Sequence, residues 1–352
     1  MEPINTHPVI PTARFSRLKI AAAVLTLFGL ILFGYFVYAV GFWEIVEGIE
    51  RFGVVGFGVI LANYFLRICT RAWAWKLAVH EPDHLAMSDT VPAVIIGEAL
   101  SSTIPLGILI SGTSKAVAVR RRIPLVSGLS SVATENLFYS FVTGLFLILG
   151  AAMFIRTSNI DARVAFSIDL LIGVLAVLIV VGVTMVIRQW HFASWICDWV
   201  YRKGYLQRVL AGRHNVRKFE DLIYGFYRRY PQRFLPICLL QSAFHVLGVL
   251  EVWFILSRIG VSSPGLMNSF LLESVSRLIT IFFKLIPFMI GVDEAGAQLV
   301  GEAVALAAGV GVTLAIIRKG RILFWTAVGM VLILKRELSI KEITSTAAEV
   351  HQ

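Results

Sequence analysis

The chain alternates long apolar runs with short basic loops, and two of those runs break in the middle. Ile20 to Val40 is uncharged over 21 residues, enough for a helix to cross the roughly 30 Å of bilayer hydrocarbon. An acidic loop follows (Glu44, Glu47, Glu50), and Phe52 to about Ile68 predicts a return to a loop holding Arg71 and Lys76. Val91 to Val119 starts on that basic face and ends at Arg120-Arg121-Arg122 on the same face, because loop Lys and Arg gather on the cytoplasmic side. A straight helix would separate those ends. Folded at Pro105, each arm has about 14 residues, roughly 21 Å, too short to cross. The stretch therefore predicts a re-entrant hairpin.

The later runs follow the same rule. Pro124 to Phe154 and Val164 to Ile187 each predict a crossing, as does Phe234 to Leu256. Residues 188–232 carry nine Lys/Arg against three Asp/Glu, with Val216, Phe219, Ile223 and Phe226 at helical spacing. They predict a cytoplasmic amphipathic segment lying on the anionic leaflet. Met267 to Val312 predicts a second hairpin around Pro287 and Gly291, and Thr313 to Leu334 a last span. The expected fold is an all-α polytopic membrane protein of about six full transmembrane helices plus two Pro/Gly-broken re-entrant hairpins. If the second hairpin's arms cross completely, the count becomes about eight spans. The whole chain, 1–352, reads as one transmembrane domain ending in a short cytoplasmic tail, 337–352.

The two breaks correspond. Ile104-Pro105-Leu106-Gly107 leads into Ser111-Gly112-Thr113-Ser114-Lys115, and Ile286-Pro287-Phe288 leads into Gly291-Val292-Asp293-Glu294-Ala295-Gly296. Glu135 lies 30 residues after Pro105, and Arg318 lies 31 after Pro287. Interrupted segments at matching places in two halves point to a transporter's binding site, and an inverted repeat supports alternating access. Ile-Pro also occurs at Ile10-Pro11 and Ile123-Pro124, so two broken helices without duplication stand as the other reading.

Composition narrows the class. Hydrophobic residues make up 57% and charged ones 15%, with a mean hydropathy of +0.80, far from a soluble domain. The net charge of +10 sits in short loops, so it reads as membrane topology rather than nucleic-acid binding. Arg14, Arg17 and Lys19 precede a run too long for a signal h-region, so the first span is expected to be retained, with both termini cytoplasmic. Cys69, Cys197 and Cys238 are scattered and suggest neither a disulfide framework nor a zinc site. His80-Glu81-Pro82-Asp83-His84 matches H-E-x-x-H, but Pro82 would break the helix a zincin needs. Gly107 to Ser114 imitates a phosphate loop with Thr113 where the lysine belongs. No metal, cofactor or catalytic residue is expected.

The candidate chemistry is ionic. Glu273 and Arg277 can pair at i, i+4, with Lys284 seven residues further along that face. Asp293 and Glu294 are placed to cap the returning arm. Arg318 and Arg321 share one face of the last helix beside Lys319, and Lys115 and Glu135 follow the first break. Charges at this depth are expensive and usually functional. They predict a polar cavity for a lipid headgroup built from Lys115, Glu135, Glu273, Arg277, Lys284, Asp293, Glu294, Arg318 and Arg321, with Pro105, Gly107, Gly112, Pro287, Gly291 and Gly296 as the broken-helix positions. Mutual pairing, such as Glu135 with Arg318, is the alternative. His245 and Glu251 read as core or interface polar groups.

These segments resemble the lysylphosphatidylglycerol synthase transmembrane family of flippase-like membrane proteins. The resemblance runs through Leu100-Ser101-Ser102-Thr103-Ile104-Pro105, Ala133-Thr134-Glu135-Asn136, Glu273-Ser274-Val275-Ser276-Arg277, the Pro287 to Gly296 block, and Arg318-Lys319 with Trp325 and Gly329. Thr113 and Asn136 depart from residues many relatives carry there. The resemblance implies a bacterial inner-membrane protein that translocates or handles a polar-headed phospholipid or lipid-linked precursor. About 17 residues follow Lys335 and about 19 precede the first span, so the soluble aminoacyl- or glycosyltransferase domains of larger relatives are expected to be absent and the chain not to be an enzyme. The alternatives are a non-transporting accessory subunit of envelope lipid biosynthesis and an intramembrane transferase or hydrolase with Glu135, Asp293 or Glu294 as base. Expected partners are anionic or zwitterionic membrane lipids, with a second copy or a lipid-biosynthesis enzyme left open.

Overall fold

The computed structural model describes residues 42–103, 107–157, 162–191, 213–261, 264–283, 286–307 and 309–335, with scattered positions in 31–38 and 194–199. The predicted first span, the break at Ile104-Pro105-Leu106, Lys284 and the tail 337–352 lie outside the described residues, apart from those scattered positions in the first span. The fold is all-α: α1 (Phe42–Ala78), α2 (Met87–Thr103), α3 (Gly107–Ala118), α4 (Leu125–Thr157), α5 (Ala162–Arg188), α6 (Arg213–Arg229), α7 (Phe234–Arg258), α8 (Leu266–Phe282), α9 (Val292–Ala303) and α10 (Val310–Lys335). No strand occurs among the described residues.

Four helical stretches are long and apolar enough to span: Phe42–Ala78, Leu125–Thr157, Ala165–Arg188 and Pro231–Arg258. At 26 residues α10 has the length, about 39 Å, but it carries Arg318, Lys319 and Arg321 in its middle. One boundary differs from expectation. The charge pattern predicts one loop at Glu44, Glu47 and Glu50 and another at Arg71 and Lys76, yet α1 runs unbroken by loops across all five, kinking at Gly53 (φ 67°). Its 37 residues reach about 55 Å, so both ends overshoot the hydrocarbon while the middle crosses it.

Each hairpin is a 17-residue helix followed by a 12-residue one, α2–α3 and α8–α9. Twelve residues rise about 18 Å, short of a crossing, which favours re-entrant arms in both halves. The second break is described in full at its tip. Pro287–Met289 forms a single 3₁₀ turn, Phe288 takes φ 54°, and Gly291 takes φ 83° before α9 begins. That left-handed backbone suits glycine, which lacks the Cβ that would clash. Gly112 and Gly296 stand inside α3 and α9 rather than at the breaks.

Helix packing exchanges between the halves in pairs. α1 packs on α7; α10 packs on α2 as α4 packs on α8; α4 packs on α7 as α10 packs on α1. α1 and α7 are antiparallel: Asn63 Nδ2 donates to Leu247 O at 3.0 Å, and Arg233 Nη1 to Val79 O at 3.0 Å. A two-fold relation between antiparallel helices has its axis perpendicular to them, hence in the membrane plane. Each hairpin follows closely on α1 or α7, so the two enter from opposite faces. The matched pairs of helix contacts are those an inverted repeat would produce.

Close backbone approach holds the second hairpin to α10. A Cβ on Gly311 would stand 2.3 Å from Ala297 O and 2.7 Å from Gln298 Cα. Gly311→Ala should therefore destabilise by about 1–3 kcal/mol through overpacking, read as a lower unfolding midpoint in detergent; an unchanged midpoint would mean the α9–α10 contact is loose. On the basic face α6 turns Ile223 and Phe226 into the core beside Tyr230, while Trp190, Trp195 and Trp199 stay exposed. His80 Nε2 lies 2.8 Å from Leu222 O and Glu81 accepts from Arg233 Nη2 at 2.5 Å, so this loop ties α1 to α6 and α7.

Candidate functional site: a buried ionic network around a polar cavity

Helical spacing puts Tyr64, Arg67 and Arg71 on one face of α1, directed at the junction of both halves. Arg67 is fully buried and joins them, with Nη1 3.5 Å from Glu251 Oε2 on α7 and Nη2 donating to Glu273 Oε1 on α8 at 3.2 Å. Glu273 also accepts from Arg277 Nε at 2.8 Å and Arg318 Nη2 at 2.6 Å. Glu251 is 3.4 Å from Arg318 Nε and is bonded by Arg321 Nη1. Two carboxylates thus hold four arginines.

The first half is balanced. Glu135 on α4 accepts from Arg71 Nη2 at 3.2 Å and Gln241 Nε2 at 2.8 Å, and lies 3.7 Å from Lys115 Nζ. Glu98 on α2 accepts from Tyr64 Oη at 2.8 Å and faces Arg71 Nη1 at 3.6 Å. The signs reverse between halves. α1 offers the cation and α4 the anion in one; α7 offers the anion and α10 the cations in the other. Aromatic faces complete the shells: Arg67 lies 4.3 Å from the Phe244 centroid, Arg71 4.6 Å from Tyr139 and Arg321 4.0 Å from Tyr64.

The second break is tied down by Glu294. Its Oε2 accepts from Gly291 N at 2.8 Å, while Oε1 takes Lys319 Nζ of α10. Asp293 instead accepts from Ser276 Oγ at 3.2 Å, and Ser276 Oγ accepts from Arg318 Nη1 at 3.1 Å.

Between the hairpins lies a cavity of about 140 Å³. Ser101, Ser102 and Ser111 line it from the first hairpin, and Phe288, Met289 and Asp293 from the second. Arg71, Arg277, Arg318 and Arg321 complete a wall that Glu98 also joins. It is open enough to admit a polar group: the Glu98 side chain keeps 21% exposure and that of Arg277 13%. Arg277 spends Nε on Glu273, and neither terminal nitrogen has an acceptor among the described residues. The Ser101 Oγ is buried without a partner there as well.

Of the residues singled out from sequence, Arg277, Asp293, Arg318 and Arg321 line this cavity, with Glu273 directly behind them. Lys115 and Glu135 pair with each other beyond Arg71, and Glu294 serves the hairpin tip. The suggested Glu135–Arg318 pair does not form; each finds other partners. Sequence reasoning passed over Arg67, placed Arg71 in a loop and gave Glu251 only a core role. The available signal was an arginine inside the apolar run that ends near Ile68. Among the described residues no group of three metal-ligating side chains occurs.

The family model for the lysylphosphatidylglycerol synthase TM region matches residues 19–329. No curated protein and no solved structure matches the chain.

Proposed function

The chain belongs to the lysylphosphatidylglycerol synthase transmembrane-region family, an integral membrane protein related to lipid biosynthesis or handling, and we propose that it is a carrier moving a polar-headed phospholipid or lipid-linked precursor between leaflets. The observation that carries this reading is the arginine-lined cavity where the two broken-helix hairpins meet. Broken helices at that position are where transporters of inverted-repeat design bind their cargo. A cavity of this size suits a headgroup alone, leaving the acyl tails in the bilayer. The carrier reading needs no covalent step: of the candidate bases, Glu135 is held by Arg71 and Lys115, Glu294 by Lys319, and Asp293 accepts from Ser276. The gathering of Lys and Arg in short loops supports a reading with both termini on the cytoplasmic side of an inner membrane.

Reconstitution tests it. Vesicles containing the full chain and a headgroup-labelled phospholipid should exchange label between leaflets faster than protein-free vesicles, with no new lipid on thin-layer chromatography. Ser101→Phe, which pushes a ring into the cavity, should slow exchange at least tenfold. A new lipid product would assign an enzyme instead. Inertness towards every labelled lipid, with a lipid synthase co-purifying, would assign an accessory subunit.

A further inference from the structure

The charge balance around the cavity specifies its ligand. On the second-half side Glu251 and Glu273 face Arg67, Arg277, Arg318 and Arg321. Asp293 is the remaining carboxylate on that wall, and counting it leaves one positive charge unbalanced. The first half offers nothing to spare, because Glu98 and Glu135 face Arg71 and Lys115. Nor can the undescribed stretches of the hairpins help: 104–106 reads Ile-Pro-Leu, and 284–285 reads Lys-Leu. Among the described residues no further carboxylate lines the cavity.

An unbalanced cation in a low-dielectric site is strongly unfavourable. We infer that the balancing charge comes from the ligand: the cavity takes a headgroup of net negative charge, seated by its phosphate on Arg277, and discriminates against cationic aminoacylated headgroups. The inference rests on the carrier reading and narrows it to a substrate class. Arg277 supplies the fit. Glu273 fixes its Nε at 2.8 Å, and Arg277 lines the cavity with its guanidinium 5.5 Å from the Phe244 ring centroid and no acceptor on either terminal nitrogen among the described residues. Two parallel N–H donors match two phosphate oxygens, a bidentate geometry that lysine cannot reproduce. Ser101 Oγ is an additional donor on the opposite wall. A headgroup carrying extra ammonium groups would instead add positive charge to an already positive wall.

Two measurements test this. In detergent, glycerol 3-phosphate should raise the thermal unfolding midpoint of the full chain, and choline should not. Arg277→Gln should lose that shift while its unliganded midpoint and size-exclusion profile stay near wild type, and Arg277→Lys should recover only part of it. In vesicles, labelled phosphatidylglycerol should exchange at least tenfold faster than labelled lysyl-phosphatidylglycerol. If the cationic lipid exchanges equally fast or faster, the anion selectivity is wrong and the carrier reading stands. If glycerol 3-phosphate stabilises the protein but no lipid exchanges, the anion site stands and the carrier reading falls. A midpoint shift that survives unchanged in Arg277→Gln would remove Arg277 from the site.

Discussion

Glu273→Gln is expected to destabilise the protein by about 3–5 kcal/mol, the scale for removing one partner of a buried ion pair. The side chain is fully buried and accepts from Arg67, Arg277 and Arg318 at once. Glutamine keeps the shape but withdraws the charge, so Arg67 and Arg318 would share Glu251 with Arg321 while Arg277 would lose its carboxylate. Size-exclusion yield and the unfolding midpoint in detergent report the loss. Glu98→Gln should cost far less, because that side chain keeps 21% exposure. Adding Arg67→Met to Glu273→Gln should restore part of the stability, since it removes a charge that has lost its counterpart. If Glu273→Gln melts with the wild type, the network does not hold the halves together.

Glu294→Ala is expected to abolish leaflet exchange and to cost stability on the same scale of about 3–5 kcal/mol. Although near the cavity, Glu294 works on the backbone: it caps Gly291 and anchors the hairpin tip to Lys319 of α10. Removing it uncaps the turn and leaves the Lys319 ammonium, 12% exposed, with Met289 O at 3.4 Å as its remaining acceptor among the described residues. Adding Lys319→Met should recover stability without recovering exchange, because the tip would still lack its cap. A double variant that transports normally would show that the hairpin needs no anchor. The contrast with Arg277→Gln, which should lose ligand and keep its fold, separates the group that grips the headgroup from the group that positions the tip.

How much of this could be read from the chain depends on distance along it. The second break was legible because its signals are local: Pro287 opens the turn, Gly291 tolerates the left-handed backbone, and Glu294 sits three residues on as a cap. Glu273 with Arg277 was legible for the same reason, as an i, i+4 pair. The partners of Glu135 and Arg318 were not. Both were recognised as costly charges, but the inverted packing sends Glu135 to Arg71 and Arg318 to Glu273, and a single sequence carries no record of which helices meet. Arg67 was missed because it sits one residue from the assigned end of a span, where a basic residue reads as a topology marker. The helix in fact continues to Ala78, which moves Arg67 and Arg71 from the rim into the middle of the molecule.

The Arg67 bridge also sets a timing problem for biosynthesis. Its two carboxylates lie 184 and 206 residues downstream. At about 5–20 residues per second, Arg67 enters the membrane some 10–40 s before Glu251 and Glu273 are made. Arg71 meets Glu135 after only 64 residues. During that interval the first half carries an unpaired guanidinium in hydrocarbon, so it must wait beside the insertion machinery or ride high near the headgroups until the second half arrives. Insertion of this protein is thus a matter of assembling two halves in order, with Arg67 as the last connection to close.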